Sequence, residues 1–174
     1  MTVAQVPARC WLDTRVAVRP SVIHGLGLFA SVPIARGVIV GVVGGRVIDD
    51  DELREIARAG AQYSSLAIGE GSNLLLDDRE AITRGNHSCD STLWMRDAFT
   101  LETRRPVGAD EELTVDYALQ TAVDWEMPCR CGSSLCRGTV RGSDWRLPDV
   151  QERYRGHFSP FLNERIARER SARR

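Results

Sequence analysis

Two short segments carry side chains that could take part in chemistry. Asn86-His87-Ser88-Cys89 places an amide, an imidazole, a hydroxyl and a thiol side by side, and Asp116-Tyr117 adds an acid and a phenol. Each residue type also has a structural use, because Asn and Ser favour turns and a cysteine or histidine can simply pack. The first segment alone therefore leaves a functional and a structural interpretation open.

The second group of reactive side chains is a Cys-x-Cys-x4-Cys run around a Gly-Ser-Ser turn, formed by Cys129, Cys131 and Cys136. Thiolates at this spacing can bind zinc from one loop, and tetrahedral zinc requires a fourth ligand. Cys89 is the candidate, since Cys10 has no motif around it. His87 as the ligand, or a loop of unligated cysteines, are the alternatives. A zinc ion here would hold the C-terminal segment against the turn that contains Cys89.

The composition is that of an ordinary globular domain. Of the 174 residues, 43% are apolar and 27% are charged, and this length can bury a core without disulfides. The net charge of -1 removes overall basicity as a basis for binding nucleic acid, so direct nucleic-acid binding is not expected. All 23 basic residues are arginines, so the protein cannot modify a lysine of its own.

The same sequence allows a prediction of the cellular compartment. No run of about 18 apolar residues is present, and the N-terminus lacks the charged, apolar and small-residue order of a signal peptide. We therefore expect a cytoplasmic monomer without membrane attachment. In a reducing compartment, five cysteines favour metal binding or chemistry over disulfides.

The elements that must position these residues are mostly short strands. Apolar patterns predict strands over 14–19, 38–43, 94–102 and 113–117, and a hairpin with arms 63–68 and 74–76. Acidic residues before an apolar stripe predict one helix over 52–58 that ends at Gly60. Cys10 and Trp11 are predicted to pack.

Beyond Asp144 the pattern becomes helical. A helix with Pro148 in its first turn is predicted over 147–154, and a second, arginine-rich helix over 161–170, with 171–174 frayed. We interpret the arginines from Asn163 onward as a solvated helix face. Docking of an acidic partner or DNA is the alternative.

Taken together, the motifs resemble a SET domain followed by a post-SET zinc loop. The matching residues are Gly25-Leu26-Gly27, the Asn86 to Cys89 segment, the segment Glu112 to Tyr117 and the cysteine run, in family order over 14–140. The resemblance implies a mainly β fold with short helices, the SET β-clip, whose C-terminal segment threads through an earlier loop. It divides the chain into a SET domain over 14–120, a post-SET loop over 125–140 and a helical extension over 144–174.

The resemblance also implies an activity and its residues. It implies a protein-lysine N-methyltransferase that uses S-adenosylmethionine and acts on a lysine-containing protein or peptide. Tyr117 would be the catalytic tyrosine, and Tyr63 would line the substrate groove. The implied cofactor-binding residues are His24, Gly25, Leu26, Gly27, Asn86, His87, Tyr117 and Leu135, the last of which would cover the adenine. The implied structural zinc has the ligands Cys89, Cys129, Cys131 and Cys136.

Two channel positions depart from the family pattern. Val43 and Val115 stand where many members have aromatic residues. A wider channel could accommodate a second or third methyl group, but it would also position an amine less well. A catalytically silent SET-like module that binds a peptide is therefore the second hypothesis. A cysteine hydrolase built on Cys89 and His87 is disfavoured, because such near neighbours seldom face each other and zinc would occupy the thiolate.

Overall fold

The structure is a computed structural model that describes residues 5–60 and 62–172. Within these ranges short strands dominate. The strands, in chain order, are β1 (Trp11–Leu12), β2 (Val16–Pro20), β3 (Leu26–Ala30), β4 (Ile39–Val42), β5 (Arg46–Asp49), β6 (Ser65–Gly69), β7 (Ser72–Leu75), β8 (Leu93–Met95), β9 (Thr100–Thr103), β10 (Glu112–Leu113), β11 (Glu126–Pro128) and β12 (Thr139–Arg141). The helices are α1 (Asp50–Arg58), α2 (Pro148–Arg153) and α3 (Pro160–Ala172), with 3₁₀ turns at Ala81–Arg84, Tyr117–Leu119 and Asp144–Arg146. The predicted mainly β fold with short helices is confirmed.

In the described part of the chain, the strands form four small antiparallel sheets. Their strand orders are β1-β4-β9-β8, β10-β3-β2, β5-β7-β6 and β11-β12. In the second sheet β3 is central, since Leu26 pairs with Pro20 of β2 and Leu28 pairs with Leu113 of β10. The glycine turn at 25–27 leads directly into β3, so this sheet fixes the position of the turn.

Helix α1 forms where the acidic residues predict it. The carboxylate of Asp49 accepts the N–H of Glu52 at 2.8 Å, and acidic residues fill the first turn, at the positive end of the helix dipole. Leu53 is the buried residue of the helix, and α1 lies against β5 and β7. Gly60 follows the helix with φ +69°, a conformation that glycine adopts easily.

The segment 94–102 is a hairpin and not the single strand that its apolar pattern predicts. Strand β8 ends at Met95, β9 begins at Thr100, and the two strands pair. The turn forms because Asp97 Oδ1 accepts the N–H groups of Phe99 and Thr100, both at 2.9 Å. The prediction is wrong because an aspartate side chain can close a turn without glycine or proline, so no typical turn residue interrupts the apolar pattern.

At the N-terminal edge, the prediction that Trp11 packs is wrong. Its side chain is 48% exposed in β1, an edge strand that pairs only with β4 within the described residues. Cys10 does pack against the core, and its thiol donates to the Gly44 carbonyl at 3.3 Å and accepts the Gly44 N–H at 3.2 Å. An edge position leaves one side of Trp11 without a neighbouring strand.

Beyond β10 the chain passes between the two arms of an earlier loop. The N–H of Val115 donates to the Asn86 carbonyl at 3.1 Å, and the Val115 carbonyl accepts the Ser88 N–H at 3.2 Å. On its other side Val115 forms a parallel bridge with Leu93. The predicted strand over 113–117 is therefore a short strand followed by the threaded segment of the β-clip.

The C-terminal segment shares its core with the sheets. One cluster of buried apolar side chains includes residues of β3, β4, β8 and β9 and, from the C-terminal segment, Trp145, Val150, Tyr154, Phe158, Leu162 and Ile166. The Tyr154 hydroxyl donates to the Cys89 carbonyl at 3.3 Å. The extension is thus packed on the loop that carries the Asn86 to Cys89 segment.

Both C-terminal helices form. Pro148 occupies the first turn of α2, where its missing N–H costs no hydrogen bond. Helix α3 continues through Ala172, beyond the predicted start of fraying, and residues 173–174 lie outside the described residues. Among the helices of the described residues, none has both the length and the apolar composition needed to cross a membrane.

Candidate functional site

An apolar cavity of about 290 Å³ opens beside Tyr117. Val43, Tyr63 and Val115, the residues predicted for the substrate channel, all line it. Trp125 lines it as well, although it lies between two motifs and nothing in the sequence marks it as part of the site. Core side chains form other parts of the wall, among them Leu28, Leu66, Ile82, Leu93, Leu101 and Leu113. Such walls can accept an aliphatic chain.

Tyr117 is held by two hydrogen bonds and two aromatic neighbours. Its hydroxyl donates to the Gly85 carbonyl at 3.1 Å, and its backbone N–H donates to Nδ1 of His87 at 3.2 Å. The rings of His87 and Trp125 have their centroids 5.1 and 6.1 Å from that of Tyr117. Burial raises the pKa of the phenol to about 12. The hydroxyl is therefore neutral near pH 7, and its oxygen can still accept a hydrogen bond.

His87 contacts Tyr117 through its ring and through Nδ1. Burial lowers its pKa to about 4, outweighing the opposite effect of Asp116, so the ring is neutral near pH 7. Because Nδ1 accepts the Tyr117 N–H, we assign the ring hydrogen to Nε2, which lies 3.3 Å from Sγ of Cys89. The two side chains therefore do face each other, contrary to the expectation for such near neighbours. The 3.7 Å contact between Nδ1 and Asp116 is then not an ion pair. With both nitrogens engaged, His87 could reach a cofactor only through its backbone.

The four cysteines predicted as metal ligands converge on one point. The sulfur atoms of Cys89, Cys129, Cys131 and Cys136 all lie within 4.8 Å of one another. The loop between β11 and β12 is closed by the Cys129 N–H, which donates to the Gly138 carbonyl at 2.8 Å. The threaded loop supplies Cys89. This cluster can hold a metal ion.

The thiols of this cluster differ in acidity. Burial raises the pKa of Cys89 to about 11. Burial also opposes the ionisation of Cys131, but hydrogen bonds to its sulfur, including one from the Cys89 N–H, lower its pKa to about 7. Cys131 thus ionises more easily than a free thiol, and metal binding would displace thiol protons from the cluster.

Arg137 joins the cysteine loop to the segment of Tyr117, a contact that no sequence motif predicts. Its Nη1 and Nη2 donate to the two carboxylate oxygens of Asp116, both at 2.7 Å, and its Nε donates to Asp144 at 2.8 Å. Burial alone would lower the pKa of Arg137. The hydrogen bonds and the negative charge of Asp116 outweigh this effect, so the pKa is raised. Its backbone N–H also lies 3.4 Å from Sγ of Cys89.

The glycine turn and Asn86 form the second part of the site. Gly25 has φ +48°, while His24 and Leu26 are exposed on the same turn. The Asn86 Nδ2 donates to the carbonyls of His24 and Leu26 at 3.1 and 3.0 Å. The structure therefore brings Asn86 and the turn together, as the assignment of both to one binding site requires.

Leu135 is set apart from the cavity beside Tyr117. It lies on the cysteine loop with 43% of its surface exposed, and it is not part of the cavity wall. The structure thus groups the predicted residues in three places: the channel residues with Tyr117, the glycine turn with Asn86, and Leu135 with the cysteines.

Comparisons with known proteins agree with this architecture. A family model described as SET domain matches residues 25–118. The histone-lysine N-methyltransferase SETD1 of Drosophila melanogaster is 33% identical in an alignment of length 140 that covers 69% of this chain and 8% of that protein. The histone-lysine N-methyltransferase TRX1 of Oryza sativa subsp. japonica is 33% identical in an alignment of length 147 that covers 72% of this chain and 14% of that protein.

A human protein gives the same result. The histone-lysine N-methyltransferase SETD1A of Homo sapiens is 28% identical in an alignment of length 138 that covers 68% of this chain and 8% of that protein. This chain therefore spans only a small part of the length of these relatives. The matched residues 25–118 make up more than half of the 174 residues and contain the glycine turn, Asn86 and Tyr117. By this match, the chain belongs to the SET domain family.

Proposed function

We propose that the chain is a protein-lysine N-methyltransferase that uses S-adenosylmethionine. The observation that carries the proposal is a neutral Tyr117 hydroxyl at the wall of an apolar cavity. The names of the relatives, all histone-lysine N-methyltransferases, support the same reaction. The substrate would be a lysine in a protein or peptide, and a histone is the first to test.

The lysine side chain would enter the cavity beside Tyr117. A lysine amine has a pKa of about 10.4 in water and must lose a proton before it can act as a nucleophile. Aliphatic walls such as Val43 and Val115 favour the neutral amine, because they do not solvate an ammonium group. With two valines at these positions, we expect room for products that carry more than one methyl group.

Tyr117 would orient the amine. Its hydroxyl hydrogen is committed to the Gly85 carbonyl, so its oxygen can accept an N–H of the amine and direct the nitrogen lone pair. Neither Tyr117, with a pKa of about 12, nor His87, with a pKa of about 4, exchanges a proton readily near pH 7. The proton of the ammonium group would therefore go to solvent.

The cofactor would be held by the glycine turn His24–Gly27, by Asn86, by the backbone of His87, by Tyr117 and by Leu135. S-adenosylmethionine supplies, when bound, a methyl group on a positively charged sulfur. The turn fits a cationic ligand, because Asn86 and two backbone carbonyls of the turn are clustered there. The exposed Leu135 fits an adenine ring, which could cover its apolar side chain.

The cysteine cluster would bind a structural zinc ion. The sulfurs of Cys89 and Cys129 lie 3.8 Å apart. Two sulfurs of a tetrahedral site with zinc–sulfur bonds of about 2.3 Å are separated by about the same distance. We accordingly assign a SET domain to 14–120, a post-SET zinc loop to 125–140 and a helical extension to 144–174.

The test combines cofactor binding with methyl transfer. Zinc-loaded protein should bind S-adenosylmethionine in a calorimetric titration, and binding should be lost in Asn86→Ala. Tyr117→Phe keeps the aromatic ring and should still bind the cofactor, but it should transfer methyl groups to histones on the order of 10²-fold more slowly, because the hydroxyl that orients the amine is lost. Tyr154→Phe is the matched control, since its hydroxyl bonds to Ser91 and Cys89 outside the cavity.

A silent peptide-binding module is the second candidate, and the valines at 43 and 115 favour it, because a wide channel positions an amine less well. Absence of cofactor binding by folded, zinc-loaded protein would contradict the methyltransferase proposal. Peptide binding by the same sample would then support the module.

A further inference from the structure

A carboxylate with no assigned role lies against the glycine turn. Glu112, at the start of β10, accepts the Nδ2–H of Asn86 at 2.8 Å. Both of its carboxylate oxygens lie within hydrogen-bond distance of the Ser21 hydroxyl, at 2.9 and 2.8 Å, and Ser21 Oγ accepts the N–H of Ile23 at 3.0 Å. Glu112 is therefore connected to Asn86 on one side and to the chain that enters the turn on the other.

Gly27 provides the space for this carboxylate. A Cβ at position 27 would lie 2.2 Å from Glu112 Oε1 and 2.8 Å from Glu112 Cδ, far inside van der Waals contact. Gly27 is not among the glycines with positive φ, unlike Gly25 at +48°. Glycine suits position 25 because of its positive φ, whereas at position 27 an added methyl group would have to displace the Glu112 carboxylate.

The partners of the Asn86 amide nitrogen are all hydrogen-bond acceptors. The Asn86 Nδ2 has two hydrogens and three acceptors around it, the carbonyls of His24 and Leu26 and the carboxylate of Glu112. The amide oxygen is consequently the atom that Asn86 can offer to a ligand. A carboxylate, an amide oxygen and backbone carbonyls together complement a hydrogen-bond donor with positive charge.

We propose that Glu112 is a positioning residue for the cofactor: it fixes the orientation of the Asn86 amide and supplies the negative charge that favours the α-ammonium group at the glycine turn. This inference rests on the proposed function, because that function provides the amino-acid part of S-adenosylmethionine as the ligand. Glu112 thereby selects for a cofactor that carries an amino group.

The test measures the affinities of three probes for zinc-loaded protein by calorimetry. S-adenosylmethionine carries both the ammonium and the sulfonium charge, S-adenosylhomocysteine lacks the sulfonium charge, and 5′-methylthioadenosine lacks the whole amino-acid part. Glu112→Gln should lower the affinity for the first two probes about tenfold to a hundredfold, which is the usual effect of losing a charged hydrogen bond. The affinity for the third probe should be unchanged. Glu111→Gln is the matched control, because Glu111 bonds to Arg105 and to the Gly108 N–H.

Gly27→Ala gives an independent perturbation. Its methyl group would displace the Glu112 carboxylate without removing the charge, so the affinity for the same two probes should fall. Glu112→Ala in that background should lower these affinities little further. Zinc content and circular dichroism report on folding in each variant.

The outcomes separate this inference from the proposed function. Equal weakening of all three probes by Glu112→Gln would indicate general disruption and overturn the inference, as would weakening of S-adenosylmethionine alone, which would assign the charge to the sulfonium. Unchanged binding in Glu112→Gln would overturn it while the methyltransferase proposal stands. Wild-type protein that binds none of the probes would overturn both.

Discussion

Replacing Arg137 with leucine should destabilise the protein by removing one side of a buried ion cluster. Arg137, Asp116 and Asp144 have side chains that are 10%, 0% and 6% exposed. Leucine can make none of the three hydrogen bonds that Arg137 donates to the two carboxylates. The Asp116 carboxylate would remain buried, keeping the N–H of Ala118 at 3.1 Å as a donor.

The magnitude follows from the unpaired charge. Removing one partner of a buried ion pair costs about 3–5 kcal/mol. In a protein of this size each kcal/mol lowers Tm by about 2–4 °C, so Arg137→Leu should unfold about 6–20 °C below wild type. Asp116→Asn in the same background removes the stranded charge, so the double variant should lose less than the sum of the two single losses.

Differential scanning calorimetry of zinc-loaded samples provides the assay. Arg155→Leu is the control, because Arg155 pairs with Glu152 on the surface, where both side chains are mostly exposed, and its loss should leave Tm unchanged. The reasoning is refuted if Arg137→Leu unfolds at the wild-type temperature. Strict additivity in the double variant would equally refute it, because it would show that Arg137 and Asp116 do not stabilise each other.

Two further predictions concern the metal and the tyrosines. Removing zinc with a chelator should speed amide hydrogen exchange in the β11–β12 hairpin while leaving β2 and β3 protected, as measured by mass spectrometry; uniform exchange throughout would contradict a local structural role. Burial raises the pKa of Tyr63, Tyr117 and Tyr154, that of Tyr117 to about 12. Unfolded tyrosines lose their protons near pH 10 while native ones keep theirs, so stability should fall as pH rises from about 10 towards 12. Phenolate absorbance that develops fully near pH 10 in the native protein would contradict this burial.

The parts of the site that could be predicted are those whose chemistry is local in sequence. Three cysteines within eight positions define a metal loop by their spacing, and the acidic residues before Leu53 define the start of α1. The buried face of α3 was also visible in principle, because Leu162 and Ile166 lie four residues apart, and Arg168 and Arg170 are exposed to solvent.

Other features depend on contacts that a linear pattern does not contain. The turn within 94–102 is closed by the side chain of Asp97, so the apolar pattern continues across it. Arg137 is one of 23 basic residues, and nothing in its neighbours identifies Asp116, 21 positions earlier, as its partner. Long-range ion pairs of this kind are fixed by topology, here by the threading that brings the segment of Tyr117 under the cysteine loop.

The glycine at position 27 has two possible physical explanations. A glycine can let the backbone approach a ligand closely, whereas in this structure the Glu112 carboxylate fills the space of the missing Cβ at position 27. The two reasons predict different results for Gly27→Ala. A ligand blocked by the methyl group would be lost whatever stands at position 112, but a displaced carboxylate makes the effects of the two substitutions overlap. Gly27 and Glu112 should therefore behave as one unit in binding, because the missing Cβ at position 27 leaves the space that the Glu112 carboxylate occupies.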